Sequence, residues 1–450
     1  MQGKKYISSI WRRKCKYNNM KKLKDHYYPK SNRTFTTSSL DTDVAIIGGG
    51  AIGCSIANFL LTINPSIKVS VIEKDLNYNI ASSVLSVGSI RQQFSEPVNI
   101  AISQFGIEYI RELSQDPETD VQFDEGGYLF LAQEKGKKQL EENVALQQSL
   151  GSSTVHYGGH GDELSTKFPW LQTEDIQQSA FGVKDEGWFD PYTLTMALKK
   201  KAQEKGAKFI EGTVEEIGKK AEHVIISSSV DSTDNYKIKC NHALVNAAGC
   251  WSSQVLSTMV GIDETKANEL LPVHPRKRFV FVVHCPDDTL ISPPVPLLVC
   301  PSGCYIRREG LPDRKLFLVG GMESAAGIDK NAMGTADELF VEHEHFENHL
   351  WPSIAYRIPA FENCKVKSSW CGYYDYNTAD QNGLLGKIFD DIPLYVATGF
   401  SGHGIQQSPA VGRGIAELIL NDNQYQSLDL SDLNASRIQE GRFVIEKNIV

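Results

Sequence analysis

From Val44 to Ile67 the chain carries no charged residue, yet its letters change character within that span. The branched apolar run Val44 to Ile47 reads as a buried strand, three glycines (Gly48 to Gly50) interrupt it, and small and apolar residues continue at a density suited to a helix packed on a sheet. A membrane span is the competing reading. The glycines in mid-run, Asn58 and Pro65 weigh against it. KVSVIEK, carrying Glu73 and Lys74, predicts a second strand. The pattern of a strand followed by small residues recurs in HALVNAAGCW (242–251) and in LYVATGF (394–400). The latter leads through Ser401, Gly402, His403 and Gly404 into an apolar-periodic helix that must take Pro409 into its first turns. Asp190 followed by Pro191 marks a helix start, and GAKFIEGTVEEI beyond it places Val214 on an extended segment. KRFVFVV, GCYIRRE and KLFLVGG alternate as strands of a second sheet, and SDLNASRIQEGRFVIEKNIV predicts a final helix.

Charge changes the picture at one end. Residues 1–40 hold eleven of the 46 basic residues and only one of the 55 acids, Asp25, so the rest of the chain carries a net charge near −19. An acidic body argues against nucleic acid as a partner, because phosphate binding needs a basic surface. The leader is basic, rich in hydroxyls towards its end, and lacks the continuous apolar core of a secretory signal. It reads as a mitochondrial transit peptide, with a disordered basic tail as the plainer alternative. With 450 residues and 41% apolar content the chain can bury a large core divided over two or three domains. Nine cysteines without a C-x-x-C pair favour reduced, buried thiols, and no metal site is expected.

Chemistry enters at the first glycines. Gly48-x-Gly50-x-x-Gly53, set between a strand and a helix, has the order of a dinucleotide fingerprint: a tight turn, a close approach of pyrophosphate to backbone, and close helix packing. An anion there meets backbone N–H groups and the helix dipole. Glu73, twenty residues past Gly53 at a strand end, can accept both ribose hydroxyls. These features alone leave FAD and NAD open. The late glycine loop argues for the flavin, since a second N–H-rich helix start far along the chain can stabilise negative charge on a reduced flavin ring.

With GGGAIG, Glu73, ASSVLSVGSIR, NAAGCW and GFSGHG in view, residues 43 to about 422 resemble the D-amino-acid oxidase-like flavoproteins, which include sarcosine and glycine oxidases and dimethylglycine dehydrogenase. The fold the resemblance implies is α/β, a Rossmann-like FAD-binding domain interleaved with a mixed-sheet α+β substrate domain. The division expected is 41–91, 186–261 and 373–422 for FAD, 92–185 and 262–372 for the substrate domain, and 423–450 for a helical tail, behind the 1–40 leader. The resemblance places FAD along Gly48, Gly50 and Gly53, Glu73 with Lys74, Ser82 and Ser83, Gly88, Val214, Ala248 and Gly249, and the loop Ser401, Gly402, His403, Gly404 and Ile405. Some relatives tether flavin through a histidine or cysteine. Leu85 and Gly372 stand at those positions here, beside Cys371, so FAD is expected to be non-covalent.

DEGWFDPYTL, LPVHPRKRFVFVVHCP, WCGYYDYNTADQNGLLG and GFSGHGIQQSPAVGRGIAE resemble a mitochondrial branch of this family that assists assembly of respiratory complex I at the matrix side of the inner membrane. The resemblance implies that role, with complex I assembly intermediates as partners, peripheral contact with the inner membrane and no transmembrane helix. The alternative is an active dehydrogenase or oxidase moving hydride from a C–N donor, with a small amino-acid-like substrate. That chemistry needs a cation for the substrate carboxylate, for which Arg91 and Arg307 with Tyr305 are the candidates, while Lys277 is the candidate to approach the flavin ring and promote its reaction with oxygen in an oxidase. A NAD-dependent dehydrogenase is the third reading. Tyr373 and Tyr374 are candidates for the pocket wall.

Overall fold

Ser39–Ile47 lies between Val69–Glu73 and Asn235–Asn246, parallel to both, and this triplet is the centre of an eight-stranded sheet. Outward from it run Lys208–Glu211 on one side and His223–Ser227 with Thr213–Ile217 on the other. Leu394–Thr398 pairs parallel to the end of Asn235–Asn246 and antiparallel to Leu384–Lys387. From Val44 to Ile47 both faces of the central strand are buried, which is why that half of it is an unbroken apolar run. Val44 and Ile46 pack with Ile56 and Leu60 of the helix Ala51–Ile63 and with Val411 and Ile415 of the helix Gly404–Leu420. Ala45 and Ile47 face Leu256, Leu270 and Val396 on the other side. The uncharged stretch is thus a strand, a turn and a helix, and no helix among the described residues is long and apolar enough to cross a membrane.

In this computed structural model the described residues are 39–119, 121–158, 162–227, 235–321 and 339–448. The leader expected to be a transit peptide falls outside them up to residue 38.

The second sheet also has eight strands, ordered Lys365–Asn377, Val273–His284, Leu316–Gly321, Cys304–Arg308, Leu297–Val299, Tyr128–Ala132, Gln178–Gly182 and Thr154–Gly158. The pairing of Leu297–Val299 with Tyr128–Ala132 is parallel and the rest are antiparallel, so the sheet is mixed. Along Val273–His284, Phe279, Phe281 and Val283 join the core under the helix Trp351–Arg357. Val280 and Val282 face the other way, towards Trp370, Leu85 and Val87. A small sheet of Ser89–Ile90, Gly187–Phe189 and Phe123–Asp124 completes the set.

Two local expectations are met by specific bonds. Asp190 caps the helix Pro191–Glu204, its Oδ1 accepting from Tyr192 N at 2.9 Å and Thr193 N at 3.0 Å. In Gly404–Leu420, Pro409 cannot bond the carbonyl of Ile405, and Ser408 Oγ donates to that oxygen instead, at 2.9 Å. The expected final helix does not form. Ser431–Leu433 and Ala435–Ile438 are single 3₁₀ turns, and 442–448 is an irregular strap. Arg442 N still bonds the Arg437 carbonyl, but beyond it Val444 N is taken by Asp380 Oδ2 at 3.1 Å and Lys447 N by Ser95 Oγ at 2.8 Å, rather than by carbonyls one turn back.

Candidate functional site

Both large sheets line one cavity of about 690 Å³. At the first glycines the chain turns with φ +102° at Gly48, where a Cβ would stand 2.3 Å from Ala247 O. Gly50 caps the helix Ala51–Ile63, whose first N–H groups have no intrahelical acceptor, and Ala51 N reaches Ser83 Oγ at 3.4 Å. Glu73 Oε2 accepts from Gly49 N at 2.7 Å and Oε1 from Asp75 N at 3.1 Å. Burial raises its pKa and these backbone donors oppose the rise.

The late loop is organised by a residue the sequence reading passed over. Asp375 Oδ2 accepts from Gly399 N at 2.7 Å and Phe400 N at 3.1 Å, and its carbonyl accepts from Ser401 N at 2.9 Å. Burial pushes the Asp375 carboxyl up to about 6, against the pull of the backbone donors. These bonds hold Gly399 at φ +76°, Ser401 at +50° and Gly402 at +96°, and aim the start of the helix Gly404–Leu420 at the cavity. His403 is half-buried between Phe94, at 5.0 Å and edge-on, and Arg91. Desolvation, then the Arg91 charge, holds its pKa well below the ordinary value, so the imidazole is neutral. Arg91 Nη2 lies 3.0 Å from His403 Nε2, and because a guanidinium only donates, Nε2 accepts and Nδ1 carries the proton.

Of the expected cofactor residues, Gly48, Gly50, Glu73, Lys74, Ser82, Ser83, Val214, Ala248, Gly249, Gly402, His403, Gly404 and Ile405 line this one cavity. Gly53, Gly88 and Ser401 stand behind its wall. A Cβ on Gly53 would lie 1.9 Å from Gly48 O and one on Gly88 2.1 Å from Phe189 O, while Ser401 Oγ accepts from Asn377 N at 3.1 Å.

The catalytic candidates divide differently. Arg91 and Tyr305 line the cavity, but Arg307 and Lys277 do not. Arg307 donates to Val87 O from Nε at 2.9 Å and from Nη2 at 2.7 Å, and meets Glu309 Oε2 at 2.8 Å, so it fastens the second sheet to a segment that lines the cavity. Lys277 stands 3.5 Å from Glu342 and over the Phe340 ring at 4.1 Å. Its neighbour Arg278 takes the cavity side, with Nη2 donating to Tyr374 Oη at 2.6 Å. Alternate residues of a strand face opposite ways, and KRFVFVV is apolar on both faces, so the sequence alone could not fix which of 277 and 278 points inward. Tyr373 and Tyr374 both line the wall. The same alternation turns Cys371 into the core with Phe279, while Gly372 faces Leu85, whose Cβ is 2.9 Å from where a Gly372 Cβ would be. The two positions where some relatives carry a tether thus hold a glycine and an aliphatic side chain.

An N–H-rich turn with space only for glycine, a carboxylate beside it, and a second helix start at the far end of the same cavity fit an FAD molecule laid along it. The family model described as "FAD dependent oxidoreductase" matches residues 43–418, and the chain belongs to that family. FAD is its cofactor. The chain is 38% identical over 440 residues to the FAD-dependent oxidoreductase domain-containing protein 1 of Bos taurus, covering 91% of this chain and 88% of that one. It is 33% identical over 429 residues to the homolog from Drosophila melanogaster, covering 91% and 81%. Among solved structures, an L-proline dehydrogenase from P. horikoshii superposes with a TM-score of 0.74 at 24% identity, covering 90% of this chain and 100% of that one. Glycine oxidase from Geobacillus kaustophilus gives 0.70 at 21%, covering 88% and 99%. These two establish the fold: an α/β flavoprotein of glycine-oxidase type, with its dinucleotide sheet joined to a mixed sheet.

Proposed function

We propose that this protein oxidises a small amine bearing a carboxylate, breaking the C–H bond next to nitrogen, with the imine product then hydrolysed by water to a carbonyl compound and the released amine. When bound, FAD supplies the acceptor for the hydride. Gly48, Gly50 and the first turn of Ala51–Ile63 would hold its pyrophosphate and Glu73 a ribose, with the ring end at Gly402 to Ile405. The observation that carries the reading is Arg278, hydrogen-bonded to Tyr374 in the wall shared with that loop. Its Nη1 also donates to Lys277 O at 3.0 Å, and a guanidinium fixed in that wall can orient a carboxylate through a charge-assisted bond. Tyr305, half-buried on the neighbouring wall, limits the size of the group that fits. Anaerobic titration of the flavin band with carboxylate-bearing secondary and tertiary amines, alongside the same amines without the carboxylate, tests this. Bleaching is expected only with the carboxylates, and Arg278→Met should raise the half-bleaching concentration about tenfold or more, the loss of a hydrogen bond to a charged group. A panel that leaves the band untouched, or responds equally without the carboxylate, removes the reading.

A second role is favoured by the internal engagement of three of the four catalytic candidates. Arg91 and Arg307 bond backbone carbonyls and Lys277 pairs with Glu342, which suits a flavin-stabilised scaffold as well as an enzyme. On this reading the protein serves assembly of respiratory complex I, meeting assembly intermediates on the matrix side of the inner membrane, to which the basic leader would direct it. Disruption in cells should lower assembled complex I, and re-expression of Arg278→Met should restore it. Unchanged complex I on disruption removes the role.

A further inference from the structure

The C-terminal strap is built the opposite way from an apolar plug. Its alternate residues Phe443 and Ile445 point outward, 51% and 49% exposed, while the side chain turned fully inward is Glu446, at 1%. Burying a carboxylate is unfavourable unless its lone pairs are filled, and here they are. Oε1 accepts from Ser95 N at 2.9 Å, Ser95 Oγ at 2.8 Å and Asn448 N at 2.8 Å, and Oε2 from Asn99 Nδ2 at 2.9 Å. Ser95 and Asn99 bracket the start of the helix Pro97–Gln115, whose positive end favours an anion. Polar contacts to residues 91–99, not apolar burial, therefore decide how the strap docks.

Those contacts lead directly to the cavity. Asn448 O accepts from Arg91 Nη2 at 2.5 Å, and Asn448 Nδ2 donates to Gln93 O at 2.6 Å, the same carbonyl that Arg91 Nη1 bonds. Gln93 is itself fixed by Glu186, Nε2 to Oε2 at 2.7 Å, and the Arg91 backbone N–H by Gln406 Oε1 at 2.9 Å, in the first turn of the helix Gly404–Leu420. Arg91 in turn sets the His403 tautomer. A second path starts from the root of the tail. Arg437, fully buried, holds Asp380 through Nε at 2.8 Å and Nη2 at 3.0 Å. Asp380 Oδ1 accepts from Asn377 Nδ2 at 2.8 Å, and Asn377 N donates to Ser401 Oγ.

We infer that the strap Arg442–Asn448 is a positioning element for the ring end of the flavin cavity, holding Arg91 against His403 through Asn448 and anchored there by Glu446, so that retention of FAD depends on the last residues of the chain. The inference rests on FAD as cofactor and not on the proposed substrate. Removing residues 446–450 takes away the Asn448 acceptor and the anchor together, and Arg91 no longer holds the loop.

The experiment is a double-mutant cycle on the FAD-loaded protein, with the rate of flavin release followed by the rise in free-flavin fluorescence, so that no amine substrate enters the readout. Truncation after Ile445 is expected to speed release about tenfold, the equivalent of one hydrogen bond to a charged group. In an Arg91→Met background the same truncation is expected to add almost nothing, because the residue it acts through is gone. Should the truncated chain not fold, Glu446→Gln in the full chain, alone and with Arg91→Met, gives the same cycle. Release that is unchanged on truncation overturns the inference, as do effects of strap and Arg91 that multiply independently, which is what a merely structural tail would give.

Discussion

Replacing Asp375 by asparagine isolates the cost of the buried carboxylate that shapes the glycine loop. In the folded protein burial raises its pKa to about 6 from an ordinary 3.8. Between those values the native state holds a proton that the unfolded chain has released, so stability contributed at this site is full below pH 3.8 and is lost as pH rises through 6. The gap of about two units, at 1.36 kcal/mol per unit, amounts to about 3 kcal/mol. Asparagine keeps the shape and, with its oxygen towards Gly399 N and Phe400 N, both backbone bonds, but it does not titrate. Urea unfolding of the FAD-bound wild type and Asp375→Asn across pH 4 to 7 measures the difference. Other shifted acids, such as Glu186, raised by burial to about 7, occur in both proteins and cancel. Wild type is expected to match or exceed the variant near pH 4 and to lose about 3 kcal/mol relative to it by pH 7. A difference that stays flat over that range, or rises with pH, refutes the reasoning that desolvation outweighs the two backbone donors.

Two further substitutions separate cradle from anchor. Gly53→Ala places a methyl 1.9 Å from the Gly48 carbonyl, which neither backbone can yield without moving the helix off the sheet. It should cost about 2 to 3 kcal/mol in chemical unfolding and weaken FAD binding, and a variant with wild-type stability and flavin content would contradict the packing described. Arg307→Met should lower stability by about 2 to 4 kcal/mol, since it strips the donors from Val87 O and leaves Glu309 uncompensated. The half-bleaching concentration of substrate should stay put, in contrast to Arg278→Met. An Arg307→Met protein of unaltered stability but impaired substrate binding would reverse the roles assigned to the two arginines.

How far the sequence reached depends on how local each signal is. The first strand, the glycine turn, the cap at Asp190 and the strand carrying Glu73 are written in a few adjacent residues, because a tight turn, a cap and a buried parallel strand each restrict residue type within one or two turns of chain. The late loop was readable for the same reason, and the residues of both half-sites line one cavity. Arg278 was not readable in place of Lys277, because a strand apolar on both faces gives period two without its phase. Asp375 was hidden because its role is to accept bonds from Gly399 and Phe400, more than twenty residues away, and nothing in YYDYN marks that. The tail misled for a related reason: its composition suits a helix, but Asp380, Ser95 and Arg91, distant in sequence, compete for its backbone and win. By itself, then, the sequence determined the cofactor class and the two glycine cradles, since these are local steric and electrostatic demands. Only the tertiary structure decided which cation faces the cavity, which carboxylate holds the loop and where the chain's end is tied, since those depend on strand phase and on groups that folding alone brings within hydrogen-bonding reach.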